Sequence, residues 1–111
     1  MGRHNWIGDE GEQIQHDRLV IFNVGPGGRI IDKRKENVGY DFEVHKYNIY
    51  TNQMEIERHE IKTKSHRSAD FPGLTPNERK AKKKYGDEYY VDEVELPMCI
   101  ETYYDNFLTH D

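Results

Sequence analysis

Two stretches of alternating apolar and polar residues, Tyr40–Tyr47 and Gln53–Lys62, joined by a turn-forming run around Asn48–Asn52, constrain this chain most. Alternation puts successive side chains on opposite faces of a strand. In the first stretch Tyr40, Phe42 and Val44 share one face, and Asp41 and Glu43 take the other. In the second, Arg58 interrupts the apolar face, and Glu60 and Lys62 point one way while Ile61 turns into the opposite layer. If the two strands pair as neighbours, Asp41 meets Glu60 and Lys62 at one edge of the sheet.

Two carboxylates and an amine at one point are what a divalent cation and a water nucleophile need, so the pattern suggests metal-assisted phosphodiester cleavage. Mg²⁺ (or Mn²⁺) takes oxygen ligands and keeps several waters, so one or two carboxylates plus a substrate phosphate suffice. Asp41 and Glu60 are the expected metal ligands, with the backbone carbonyl of Ile61 between them and Lys62. Lys62 would orient the water, assist its deprotonation or neutralise charge building on phosphorus. The competing reading is three solvent-facing strand charges. A D…ExK spacing in a chain that is 33% charged does not decide between them.

The remaining segments read in order. Trp6–Val20 is an opening helix with Asp9 as N-cap and Glu10 and Glu12 in its first turn. Leu19–Val24 is open between strand and helix end. Gly25-Pro26-Gly27-Gly28 is a turn, not a phosphate loop, because no Gly-Lys-Ser/Thr follows. Arg29–Asp32 is a short strand, Lys33–Val38 a charged loop and Ser65–Gly73 a second loop. Thr75-Pro76-Asn77-Glu78 starts a helix with N-cap, first-turn proline and reciprocal glutamate, and Gly86 ends it. That capping role accounts for Glu78 without chemistry. Glu88–Val94 is a final central strand with Tyr90 and Val94 in phase. The order is α-β-β-β-α-β.

At 111 residues the chain is read as one domain, with its core at about 8–94 and an acidic tail at 95–111. The apolar share of 34% predicts a small core, and 12% aromatics argue against disorder. The single cysteine, Cys99, excludes an internal disulfide and is read as a buried thiol. No leader-like or membrane-length apolar run stands out, so a cytoplasmic, reducing compartment and no membrane association are expected. The six histidines lack zinc-site spacing with cysteine, and no nucleophile elbow appears.

Net charge is −5, but it is unevenly spread. Residues 58–84 hold nine Lys/Arg against three Asp/Glu, whereas residues 85–111 hold eight Asp/Glu and no Lys/Arg. A basic block beside the proposed site is the electrostatic footprint of phosphate-backbone contact. Lys64, Arg67, Arg79, Lys80 and Lys83 are its candidate nucleic-acid contacts. The acidic tail could engage a protein partner or fold back onto the basic face, and the small core leaves room for a homodimer.

Gly11-Glu12, Gly39-Tyr40-Asp41, Glu60-Ile61-Lys62-Thr63, Leu74-Thr75-Pro76-Asn77-Glu78 and Gly86-Asp87-Glu88-Tyr89-Tyr90 occur in an order and spacing that resemble a known family. From about Gly8 to Val94 the chain resembles the PD-(D/E)xK nuclease superfamily, and more narrowly the small domain named after the C-terminal region of the NO VEIN protein. The resemblance implies an α/β, restriction-endonuclease-like core, a mixed central sheet flanked by helices. It implies catalytic positions at Asp41, Glu60 and Lys62, with Glu12 as an acidic residue contributed by the first helix. The superfamily's proline before the aspartate is Tyr40 here, as in the narrower family. The expected function is a metal-dependent nuclease hydrolysing phosphodiester bonds, with DNA as the leading substrate and the choice between DNA and RNA left open by the sequence. The alternatives are a catalytically inactive module of that fold that binds nucleic acid or a protein, and an interaction protein acting through its acidic tail.

Overall fold

A computed structural model describes residues 5–23 and 25–97. Readings that fall on Val24, Cys99 and the tail beyond residue 97 lie outside the described residues. Helix α1 covers Asn5–Asn23, strands β1 Arg29–Asp32, β2 Phe42–Asn48 and β3 Gln53–Lys64 follow, and helix α2 covers Pro76–Tyr85. A 3-10 turn at Gly86–Glu88 then leads into β4, Tyr89–Glu95. The protein is α/β, with two helices and a four-stranded mixed sheet ordered β1-β2-β3-β4.

The first two strand pairings are antiparallel and β3–β4 is parallel. The hairpin follows from its turn: Asn48 Oδ1 accepts from the N–H groups of Tyr50 and Thr51, and Asn52 takes the left-handed φ of 58° that asparagine tolerates. The parallel pairing needs a crossover, which α2 supplies. Two expectations about the strands are corrected. β4 lies at the sheet edge among the described residues rather than in its centre. β2 begins at Phe42, not Tyr40, because Gly39 at φ +90° bends the chain and the side chain of Asp41, not its backbone, reaches the next N–H of β3.

The sheet is covered on both faces. Leu19 of α1 packs on Phe42, Val44, Ile61 and Val94, with Ile14 and Ile30 alongside. Fully burying such side chains contributes about 1.5–3 kcal/mol each. On the other face Ala81 of α2 meets Tyr40 and Tyr89, flanked by Tyr85. Tyr89 is therefore the buried tyrosine of β4, while Tyr90 is 41% exposed and stacks on His59.

Local sequence explains α2 well. Thr75 Oγ1 accepts from Glu78 N–H, Glu78 Oε1 accepts from Thr75 N–H at 2.8 Å, and Gly86 closes the helix at φ 56°. Helix α1 is a correction. It starts at Asn5, so Asp9 lies inside it and is not the N-cap, and no acidic residue falls in its first turn. Leu19–Asn23 is helical despite its β-branched and aromatic content. Of this run Leu19 is buried while Phe22 is 78% exposed, and a helix delivers Leu19 to the core without requiring a strand partner.

Candidate active site

The candidate site lies where β2 begins, beside the C-terminal part of β3 and the start of α2. Gly39 makes that junction possible: a Cβ there would sit 2.7 Å from both Asn77 O and Ala81 Cβ. Tyr89 Oη donates to Gly39 O at 2.8 Å and pins the bend from beneath. Two residues on, Asp41 N–H donates to His59 O at 2.9 Å, and Asp41 Oδ2 accepts from Ile61 N–H at 2.7 Å. The aspartate thus replaces one rung of the ladder. Along a strand the N–H and C=O of one residue face the same side, so the Ile61 carbonyl opens toward the gap that Asp41 occupies.

Glu60 and Lys62 share the face of β3 that looks toward α2, and both are buried. Lys62 Nζ donates to Glu78 Oε1 at 2.6 Å and stands 3.7 Å from Glu60 Oε2. Glu78 is therefore the site residue that its capping role concealed, since one carboxylate both caps α2 and holds the lysine. The spacing of Glu78 from Lys62 carries no local signal for that second contact. Asp41, Glu60, Thr75, Asn77 and Glu78 line a polar cleft of about 150 Å³, with Arg34 and the 37–40 loop as its other wall.

Electrostatics set these carboxyls apart. Burial, then the charges of Asp41 and Glu78, push Glu60 up to about 9. Burial also raises Asp41, against the Ile61 N–H and Glu60 hydrogen bonds that lower it. Burial pushes Glu78 up as well, but the hydrogen bonds from Lys62 and Thr75 outweigh it and leave Glu78 below its ordinary value. A protonated Glu60 is within hydrogen-bonding reach of both neighbours.

Glu12 approaches from the other face. A Cβ on Gly11 would fall 1.9 Å from Thr63 Oγ1, so only glycine lets α1 lie this close to β3. Glu12 Oε1 pairs with Arg34 at 3.2 Å, and burial followed by the charge of Asp41 raises its pKa. Arg34, absent from the candidates drawn from the sequence, is itself forked onto Asp32 and lies 5.2 Å over the Phe42 ring.

The donor chemistry suits a hard cation: the half-buried Asp41 and the buried Glu60 offer carboxyl oxygens to one cleft. Among the described residues no three His, Cys, Asp or Glu side chains close around a common point. The set that is present fits an ion that keeps most of its waters rather than a caged one.

The candidate nucleic-acid contacts are dispersed. Lys64 Nζ donates to Ser68 O at 2.9 Å, pairs with Glu95 at 3.1 Å and covers Phe71. Arg67 is exposed in the 65–73 loop, and its N–H donates to Ser65 Oγ. Arg79 donates to Leu74 O at 2.7 Å and shares a shallow groove with Lys83, while Lys80 faces a second one beside Tyr85. His59 belongs to a separate network, held between Asp92 at 2.7 Å and Glu57 at 2.9 Å on the α1 face. Among the described residues no helix is long and apolar enough to cross a membrane.

A family model described as Protein NO VEIN, C-terminal matches residues 12–96. No curated protein and no solved structure shows a significant match to the chain.

Proposed function

The chain belongs to the family described as Protein NO VEIN, C-terminal, and from that premise we propose that it is a Mg²⁺- or Mn²⁺-dependent nuclease with a restriction-endonuclease-like PD-(D/E)xK core, hydrolysing phosphodiester bonds in DNA. The observation that carries this reading is that the carboxyls of Asp41 and Glu60 line one polar cleft, with Glu60 buried and 3.7 Å from Lys62 Nζ. Two neighbouring carboxyls cannot both ionise without a cost to the fold, and a bound cation would offset that cost.

Asp41 and Glu60 would hold the ion, with the Ile61 carbonyl facing the same gap. When bound, the cation would polarise a phosphoryl oxygen and lower the pKa of a coordinated water. The chain's own residues do the rest. Asp41 Oδ2 is held by the Ile61 N–H, which would leave its other oxygen for the ion. Lys62 would offer the N–H donors of Nζ to oxygens on which charge builds. Glu12, lodged against Arg34, adds negative charge behind Asp41 and strengthens the cation's hold. Lys64, Arg67, Arg79, Lys80 and Lys83 would steady the phosphate backbone.

Cleavage of plasmid and of single-stranded oligonucleotides with Mg²⁺ or Mn²⁺, alongside cation-dependent thermal shift, tests the reading. Asp41→Ala and Glu60→Ala should lose both the shift and cleavage. Lys62→Ala should lose cleavage and keep the shift, because lysine is not a ligand. A wild-type protein that cuts nothing and gains no stability from either ion would instead be a binding module of the same fold, for nucleic acid or for a protein partner. Cleavage that survives Lys62→Ala would overturn the role given to the lysine and leave the reaction class standing.

A further inference from the structure

We propose that Glu78 is a positioning residue for Lys62: it clamps the lysine ammonium to the first turn of α2 and so keeps it from closing onto the Glu60–Asp41 pair. The proposal rests on the nuclease reading only for its catalytic consequence; the clamp itself is a matter of geometry.

Lys62 stands at a fork. Its Nζ is 2.6 Å from Glu78 Oε1 and 3.7 Å from Glu60 Oε2, and the Lys62, Glu78 and Glu60 side chains are only 11, 15 and 8% exposed. An ammonium this desolvated settles on the carboxylate that lies nearest and is held in place. Glu78 meets both conditions. Its Oε1 also accepts from Thr75 N–H at 2.8 Å, and Thr75 Oγ1 accepts from Glu78 N–H, so the carboxylate cannot swing without undoing the helix start. The positive end of the α2 dipole and the Lys62 charge both favour its ionised form. Glu60 Oε2 stands farther from the ammonium, at 3.7 Å.

Removing the charge at Glu78 would leave Lys62 one fixed partner fewer, with Glu60 and Asp41 as the acceptors within reach. An ammonium lodged between those carboxylates occupies the position a divalent cation needs. The lysine would then compete with the ion and leave the place from which it faces a phosphate. A glutamate that only capped the helix would have neither effect, and that difference makes the proposal testable.

Glu78→Gln is the informative change, because glutamine at this position retains the reciprocal cap while losing the charge on Lys62. Three readouts separate the outcomes. In chelator, thermal melts of wild type, Glu78→Gln, Lys62→Met and the double variant form a cycle. The clamp predicts that Glu78→Gln lowers Tm by about 4 °C or more when Lys62 is present, and by much less when it is methionine. An additive cycle overturns the proposal whatever the protein does catalytically. In Mn²⁺ titrations, Glu78→Gln should weaken binding about tenfold or more, and adding Lys62→Met should restore it. Where wild type binds Mn²⁺, an affinity unchanged in Glu78→Gln also overturns the proposal. In cleavage, kcat should fall while KM for DNA holds, and a rise in KM with kcat unchanged overturns the positioning role. A non-additive cycle in a protein that neither binds Mn²⁺ nor cuts supports the clamp and retires the nuclease reading, so the two failures are distinguishable.

Discussion

Glu60 keeps its proton in the fold far above the pH at which a free glutamate releases it. Burial comes first among the causes, followed by the charges of Asp41 and Glu78. In the unfolded chain the same carboxyl ionises near its ordinary value of 4.5. The folded state therefore binds this proton more tightly, and the stability that goes with it is complete below the unfolded value and lost as pH rises toward 9. In chelator, the Tm of wild type should fall between pH 5 and 9 relative to that of Glu60→Gln, whose side chain holds no titrating group. Parallel curves for the two proteins would mean that Glu60 ionises like an exposed glutamate. The meeting of Asp41, Glu60 and Lys62 was legible because a strand's period of two leaves few places for those side chains. Glu78 was legible only by half. The capping box explains it completely at the local level, and its contact with Lys62 depends on where the crossover sets α2 on the sheet.

Among the elements, the two helices differ in how they are determined. Helix α2 is specified within four residues, and Thr75→Ala should cost about 1 kcal/mol in urea unfolding. Helix α1 is specified by what it packs against. Asp9 has the chemistry of an N-cap, but Asn5, Trp6 and Ile7 extend the helix upstream of it, and no local rule distinguishes a cap from an interior aspartate there. Its glycines make the point measurable. Gly8 has nothing within 4 Å of an added Cβ, whereas at Gly11 that atom would meet Thr63 Oγ1 at 1.9 Å. Gly8→Ala should stabilise the fold by about 0.5 kcal/mol through helix propensity. Gly11→Ala should destabilise it by about 1–3 kcal/mol through overpacking. Equal effects at the two positions would show that α1 does not rest on β3 as closely as described. Displacing α1 also moves Glu12 away from Asp41, so the Gly11 variant should weaken Mn²⁺ binding in step.

At the scale of the whole molecule, linear charge overstates the basic surface. Of the basic residues in 58–84, Arg58 pairs with Glu88 at 3.0 Å and lies over Tyr85, Lys62 is held by Glu78, and Lys64 by Glu95 and Ser68. Folding turns these charges inward, and sequence cannot separate them from their neighbours because every partner but one lies at least ten residues away along the chain. What the fold presents to solvent is chiefly α2, where Arg79, Lys80, Lys82, Lys83 and Lys84 are all exposed. Arg79 also braces Leu74, the residue before the Thr75 cap, so reversing its charge would disturb structure as well as binding. Lys80 and Lys83 are the cleaner pair. Each duplex phosphate neutralised contributes about 0.9 to the slope of log affinity against log salt. Lys80→Glu with Lys83→Glu should therefore weaken DNA binding and flatten that slope by about 2, with Tm and Mn²⁺ affinity held near wild type. A slope unchanged in the double variant would place the nucleic-acid surface off α2, on the loop that carries Arg67. A lost Mn²⁺ site would mean instead that the helix itself, rather than its charge, had been disturbed.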